Sequence, residues 1–188
     1  MDANQLYGQI YHLKEKLGKL QSEYWNMTSG IDTWYFWFNV LFFLIPLIIL
    51  YILIDRKRIF EVSFYGYSVH MIASKLNSAL EAGNYLVHPH DLTAKVPGIT
   101  ITAVVLPVAY MLIYQYCTNR DKNFYFYAFL ISLAIAYLID AFFIAIDYLR
   151  LDKGMNLTYL LFINFAVACF AYWLTNFFKW MKRQKKEK

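Results

Sequence analysis

The chain has 188 residues, of which 60% are hydrophobic, 20% are aromatic and only 16% are charged. Soluble proteins average roughly 45–50% apolar and 25% charged residues, so this composition predicts a membrane protein with several spans. Most of the excess behind the formal charge of +5 lies in short clusters beside apolar runs. Because no basic face with interleaved aromatic residues is present, these clusters indicate membrane topology and not binding to nucleic acid.

The first 30 residues form a separate N-terminal segment, in which apolar residues alternate four and three apart. This heptad pattern predicts an amphipathic helix over residues 3–24. The pattern consists of Leu6, Ile10, Leu13, Leu17, Leu20 and Tyr24. Such a helix lies along the membrane surface, folds against its own bundle, or forms a short coiled coil with itself or a partner. The segment is too polar for a cleavable signal peptide, so we expect the first span to direct insertion.

The remaining sequence predicts an all-α integral membrane domain over residues 33–180, with a bundle of five transmembrane helices. The predicted spans are residues 33–54, 60–80, 100–117, 123–149 and 157–178. A basic tail follows at residues 181–188, which we expect on the cytoplasmic side. Each of these spans has the length needed to cross a bilayer, although the second is unusually polar.

The second span has two distinct faces when it is drawn as a helix. The polar face consists of Ser63, Tyr67, His70, Ser74, Asn77 and Glu81, and the apolar face of Val62, Tyr65, Val69, Ile72, Leu76 and Leu80. Because lipid offers polar groups no hydrogen-bond partner, we expect the polar face to point into the bundle and the apolar face to meet lipid.

The distribution of basic residues predicts the orientation. If residues 60–80 cross the membrane, the clusters at Arg56, Lys57 and Arg58, at 120–122 and at 179–188 fall on one side. They contain 11 of the 18 basic residues, which identifies that side as cytoplasmic. The N-terminus is then outside and the C-terminus inside. If residues 60–80 lay on the surface instead, the basic tail would face outward.

Ionisable residues within the predicted spans are candidates for a functional site. His70 and Asp140 lie near the middle of two spans that run in the same direction, so we expect them to meet near the midplane. With Ser74 and Asn77 they would form a polar core that binds a proton or a polar ligand, or that only holds the helices together. A second possible pair is Lys75 with Asp147 at the outer end, unless Lys75 extends to the surface.

The sequence predicts neither a metal site nor a cofactor. His88, His90 and Asp91 offer two imidazoles and a carboxylate, but no third spaced ligand accompanies them, and a solvated polar loop is the simpler interpretation. Cys117 and Cys169 lie at different depths, so they indicate neither a disulfide nor zinc. The sequence contains no established catalytic motif, so we predict no enzyme.

Two stretches carry a resemblance to known sequences. An apolar span ending in DRKRIFE at residues 55–61 and the string LPVAYMLIYQY at residues 106–116 resemble a family of uncharacterised multi-pass membrane proteins of bacilli and clostridia. The likeness covers roughly residues 33–180, and the second string is the more specific part. It implies a helical bundle in a bacterial cytoplasmic membrane and supplies no activity.

These observations predict a non-enzymatic membrane protein that is a structural or interaction component. Its partners would be the lipid bilayer, anionic lipid at the basic tail, and a protein or a second copy at the N-terminal helix. The alternative is a small transporter or channel subunit with a polar path past His70 and Asp140. A third possibility is an intramembrane enzyme that uses the same two residues.

Overall fold

The computed structural model describes residues 2–96 and 98–184, which form an almost entirely helical protein. The helices are α1 (Ala3–Thr28), α2 (Trp34–Leu53), α3 (Ile59–Ala82), α4 (Leu106–Asn119), α5 (Phe124–Ala134), α6 (Ala141–Ala145) and α7 (Leu157–Gln184). A 3-10 turn (Arg56–Arg58) precedes α3, and π-helical turns precede α4 (Ile101–Val105) and join α5 to α6 (Ile135–Asp140). Two short strands, β1 (Leu86–Val87) and β2 (Arg150–Leu151), pair antiparallel. Residues 185–188 of the predicted tail lie outside the described residues.

Four helical segments are long and apolar enough to cross a membrane, which indicates a multi-pass membrane protein. They are Trp34–Leu53, Ile101–Asn119, Phe124–Ala145 and Leu157–Gln184. α3 has 24 residues but is too polar to be counted with them. The predicted span 123–149 is too long, because the helix ends at Ala145. Asp147 has a φ of 56°, a left-handed conformation that a right-handed helix cannot continue.

The helices run between two ends of one bundle. We call them the basic end, which comprises residues 54–58, 119–122 and 179–184, and the loop end, which comprises residues 29–33, 83–96, 98–100 and 146–156. At the basic end, the side chain of Gln115 accepts a hydrogen bond from the Asp55 amide (2.7 Å) and donates one to the Leu53 carbonyl (2.8 Å). At the loop end, β1 pairs with β2. α3 therefore begins at the basic end and finishes at the loop end.

α3 packs between α4 and α7 and leaves one side exposed. Its buried side chains include Val62, Tyr65 and Val69, which are at most 1% exposed, whereas Tyr67 is 61% exposed. The predicted orientation of its faces is therefore wrong for the first half of α3, whereas in the second half Asn77 is buried and Leu76 is 42% exposed, as predicted. Tyr65 on this buried face stacks on Tyr114 of α4, with ring centroids 4.4 Å apart. Close packing against neighbouring helices, and not polarity, decides which face of a bundle helix is buried.

α7 approaches α3 through the stripe of small and polar residues that its sequence contains. All four members of the stripe are buried: Asn164, Ala168, Ala171 and Thr175. Small side chains allow two helix backbones to come close, which increases dispersion contacts in a membrane where the hydrophobic effect does not drive helix association. The Tyr65 hydroxyl also donates a hydrogen bond to the Ala168 carbonyl (3.4 Å).

Glu61 joins three helices at the basic end. Its carboxylate accepts hydrogen bonds from Arg58 (2.5 Å), from the Tyr114 hydroxyl on α4 (2.5 Å) and from Lys179 on α7 (2.7 Å). Arg58 also donates to Asn119. Burial lowers the pKa of Arg58, but the hydrogen bond and charge of Glu61 outweigh this effect and raise it. Arg58 is thus a structural residue as well as one of the basic residues that indicate topology.

Asn39 performs a similar role at the loop end. It is the buried residue of α2, and its side-chain carbonyl accepts hydrogen bonds from Thr100 (2.8 Å) and from the Tyr148 hydroxyl. Its amide donates to the His90 carbonyl (2.9 Å). These bonds connect α2 to segments more than 50 residues away, because buried polar groups at this depth need partners within the protein.

We predict that Glu61→Gln destabilises the protein, because a neutral amide leaves the charges of Arg58 and Lys179 without their counter-charge. The free energy of unfolding should fall by about 1–3 kcal/mol. The measurement is thermal unfolding in detergent. Unfolding is monitored by the labelling of Cys117 and Cys169, whose buried thiols react only when the protein opens. Glu15→Gln on the exposed surface of α1 is the control and should melt like the wild type. Equal melting of both variants would contradict the structural role of Glu61.

Candidate functional site

A cavity of about 50 Å³ lies between α3, α7 and the two π-helical turns, and we call it the central cavity. Its polar lining consists of Asn77, His88, Thr102, Asp140 and Asn164. The other residues that line the cavity have apolar side chains. A water molecule needs roughly 10–15 Å³ of such volume, so the cavity has room for water or a small ion with polar partners.

The two π-helical turns create polar positions on this cavity. Before α4, the Leu106 amide donates to the Ile101 carbonyl, five residues back, and Pro107 follows immediately. Because proline has no N–H and disfavours an ordinary helical neighbour on its N-terminal side, the helix widens here. Thr102 lies on this turn, and Asp140 is the last residue of the second one. Both residues line the cavity.

The structure does not bring His70 and Asp140 together. The Nδ1 atom of His70 lies 3.2 Å from the Thr102 carbonyl oxygen and 3.2 Å from the Ser74 hydroxyl, and His70 does not line the central cavity. Asp140 is 4% exposed and lines the cavity together with His88. Among the described residues no donor forms a hydrogen bond with the Asp140 carboxylate. The histidine that shares the cavity with Asp140 is instead His88, which the sequence analysis interpreted as part of a solvated loop and which the structure places over the end of α3.

The other predicted core residues fall into two groups. Asn77 is buried and lines the cavity, and Ser74 is half-buried beside His70. Lys75 and Asp147 are exposed, and they form no ion pair in the described part of the chain. Lys75 lies on the exposed side of α3. Asp147 lies in a turn, because the preceding helix ends at Ala145. These two residues therefore do not belong to the polar core.

Glu81, His88 and Asp91 meet at the loop end, and we call them the loop-end cluster. Their oxygen and nitrogen atoms lie within 4.8 Å of one another, and His88 Nδ1 is 3.6 Å from Glu81 Oε2. The structure thus places a third group that could act as a ligand, Glu81, beside His88 and Asp91, which the sequence analysis did not anticipate. Glu81 lies in the last turn of α3, and the chain reverses directly after that helix. The position of Glu81 at the predicted end of the helix, seven residues before His88, is the signal that the sequence contains.

His90 does not join this cluster. Its Nδ1 atom lies 3.0 Å from the Ser29 hydroxyl, and its ring stacks on Tyr35 with centroids 3.5 Å apart. Burial lowers the pKa of His90, so its ring is kept neutral. The two neighbouring histidines therefore face different surroundings, and the predicted pair of imidazoles does not form.

A second pocket, of about 80 Å³, lies on the α1 side of the cluster. α1 covers it with Gln21, Tyr24 and Trp25, and the Trp25 indole donates a hydrogen bond to the Asp91 carbonyl (2.9 Å). His88 lines both this outer pocket and the central cavity. Burial raises the pKa of Asp91 to about 7, although His88 and a hydrogen bond from the backbone both lower it. The carboxylate of Asp91 is thus incompletely compensated by the protein.

Comparisons with family models, with curated proteins and with solved structures found no match to this chain. The candidate site therefore rests on geometry alone. It consists of the loop-end cluster, the central cavity behind it and the outer pocket in front of it. Chemically, this arrangement presents carboxylates, an imidazole and amides to a small polar or cationic ligand, and it aligns no nucleophile with a general base.

We predict that Asp140→Asn leaves the thermal stability unchanged or raises it. The substitution replaces a buried carboxyl group, which no described donor stabilises, by a neutral amide of similar size. Thermal unfolding in detergent measures the effect. Asn39→Asp is the matched control and should melt at a lower temperature, since it removes an amide donor and buries a charge. If Asp140→Asn destabilises as much as the control, the Asp140 carboxylate has a structural role.

Proposed function

We propose that this chain is a non-enzymatic integral protein of a bacterial cytoplasmic membrane and acts as a structural or interaction component. In this proposal it has five spans: α2, α3, α4 with its π-helical turn, α5 with α6, and α7. The connections alternate between the basic end and the loop end, which supports a crossing by α3. At 1.5 Å per residue α3 is about 36 Å long, and a bilayer core is about 30 Å thick.

The orientation in this proposal follows from the basic end. Arg56, Lys57 and Arg58 lie there, as do the basic residues of the 119–122 turn and of the end of α7. Cytoplasmic loops carry an excess of lysine and arginine, so the basic end faces the cytoplasm and the N-terminus lies outside. The tail then contacts anionic lipid of the inner leaflet. The resemblance to membrane proteins of bacilli and clostridia supports the same compartment.

The topology predicts which engineered cysteines react from outside the cell. Lys95→Cys at the loop end should be labelled in intact cells by a membrane-impermeant maleimide. Arg120→Cys at the basic end should be labelled only after the cells are permeabilised. The wild type is the control, because Cys117 and Cys169 are buried and should not react. Labelling of Arg120→Cys alone in intact cells would reverse the orientation.

The observation that supports an interaction role is the exposed heptad pattern of α1, which we call the α1 seam. The side chains of the seam are 41–66% exposed: Leu6, Ile10, Leu13, Leu17, Leu20 and Tyr24. α1 contains no buried residue. It is held to the loop end near its C-terminal end, where Trp25 bonds to Asp91 and Tyr24 lines the outer pocket, while the rest of the seam stays largely exposed. A 26-residue helix with such an apolar stripe needs a surface to cover it.

We infer that the surface covering the α1 seam is a second copy of this chain. The lysines and acidic residues of residues 2–28 cancel to zero net charge, so attraction to anionic lipid is weak. Ile10, Leu17 and Tyr24 occupy the a positions and leucines occupy the d positions; of these, Ile10 with the neighbouring leucines is the combination that favours parallel two-stranded coiled coils. Two copies inserted in the same direction present their α1 helices in parallel. The pairs that then face each other, Gln9 with Lys14 and Lys16 with Gln21, contain no like charges.

α3 supplies independent support for self-association. Its exposed surface includes Ser63, Tyr67 and Ser78, and Tyr67 lies about 12 Å from the basic end of the helix. Polar side chains at this depth are unfavourable against lipid, and across helix interfaces they form hydrogen bonds instead. A second copy packed against this surface would remove them from lipid.

The dimer predicts a position-specific disulfide. Leu13→Cys, at a d position in the middle of the α1 seam, should cross-link two full-length chains in native membranes under mild oxidation. Glu15→Cys is the matched control, because it lies two residues away on the opposite side of α1. A band of twice the monomer mass should form at least about tenfold faster for Leu13→Cys, since the effective concentration across an interface is in the millimolar range. Equal or absent cross-linking would exclude this dimer.

A small transporter or channel subunit is the second candidate function. It is favoured by the two polar cavities that meet at His88, one open toward α1 and one beside Asp140 and Asn164. The polar path in this candidate runs past Asn77 and Asp140, and it differs from the path past His70 that the sequence predicts. Intramembrane carboxyl groups commonly mark ion or proton paths.

A further inference from the structure

The loop-end cluster contains an unsatisfied atom. His88 Nδ1 is fully shielded from solvent and has no hydrogen-bond partner in the described part of the chain. The residue is 8% exposed and its side chain 2% exposed, so bulk water does not supply that partner. Leaving a buried polar atom unpaired destabilises the fold, which makes such atoms rare and informative.

The unpaired nitrogen lies close to a carboxylate. Its distance to Glu81 Oε2 is 3.6 Å, longer than a hydrogen bond. Two ligand atoms bound about 2.0–2.2 Å from one tetrahedral ion are roughly 3.3–3.6 Å apart, so this spacing is that of two ligands to a shared ion. An oxygen of Asp91 completes the set within 4.8 Å. The side chains of Glu81, His88 and Asp91 therefore lie close together without forming hydrogen bonds with one another.

The surroundings hold these groups in position. The Gly98 amide donates to Asp91 Oδ1 (2.7 Å), which leaves Oδ2 free, and the Asn77 amide donates to Glu81 Oε2 (3.5 Å). Gly98 has a φ of 62°, and a Cβ there would lie 2.8 Å from the Asn77 amide and 3.1 Å from His88 Nε2. Position 98 therefore requires glycine. Partners that orient ligands in this way are typical of metal sites.

We propose that Glu81, His88 and Asp91 bind a divalent transition-metal cation at the loop end. One imidazole and two carboxylates suit Zn²⁺ or Mn²⁺, whereas Ca²⁺ requires six to eight oxygen ligands. The two carboxylate charges balance the cation. Three protein ligands leave a coordination position for water or a ligand from the outer pocket under α1. This inference does not depend on the proposed dimer, since all three ligands belong to one chain.

The site is tested with Zn²⁺ as the probe, on full-length protein in detergent that has been stripped of metal and carries no histidine tag. Isothermal titration calorimetry should show one Zn²⁺ bound per chain. His88→Gln should weaken binding by roughly 100-fold or more, because removing even an outer-shell partner typically costs 10–100-fold. His90→Gln is the matched control and should bind within about threefold of the wild type, since His90 lies against Ser29 and Tyr35.

A second variant keeps the test decisive if His88→Gln does not fold. Asp91→Asn retains the acceptor for the Gly98 amide and removes the ligand charge, so it should weaken Zn²⁺ binding while preserving the thermal unfolding midpoint of the metal-free protein. The proposal is overturned if the wild type binds no Zn²⁺ at one per chain. It is equally overturned if the His90→Gln control loses as much affinity as His88→Gln and Asp91→Asn.

Discussion

Much of the structure depends on one constraint, which is that the polar groups that α3 turns toward its neighbouring helices must find partners within the protein. A buried polar group without a partner costs about 1–3 kcal/mol. Glu61 meets Arg58, Tyr114 and Lys179 at one end of α3. His70 meets the widened turn before α4 in the middle. These bonds, with the buried aromatic side, hold α3 between α4 and α7 and so establish the order of the bundle.

The two ends of the bundle satisfy their charges differently. At the basic end the carboxylate of Glu61 accepts hydrogen bonds from three donors, as is typical of an ion pair with a structural role. At the loop end His88 Nδ1 has no hydrogen-bond partner, and desolvation raises the pKa of the half-buried Asp91 to about 7. A protein that pairs its charges fully in one region and leaves them incompletely paired in another concentrates its capacity for binding in the second region.

α1 connects the loop end to the surroundings of the molecule. Trp25 bonds to the Asp91 backbone, and α1 side chains cover the outer pocket, so the loop-end cluster lies between α1 and the membrane domain. The α1 seam from Leu6 to Leu20 remains largely exposed. An element that is anchored at one end and apolar along its free length suits contact with another helix better than it suits an enzyme lid. The loop-end cluster and the helix that is available for contact, α1, are therefore neighbours in the fold.

The sequence by itself determined the class of protein, the presence of the helices, the heptad pattern of α1 and the small-residue stripe of α7, because these follow from composition and local periodicity. Asn39 was also predictable as a buried polar residue in need of a partner. Only the tertiary structure decided which face of α3 is buried, since that depends on the fit of Tyr65 against Tyr114. It likewise decided that Glu81 meets His88 while His70 stays away from Asp140. Such contacts depend on how distant segments pack, which no local pattern specifies.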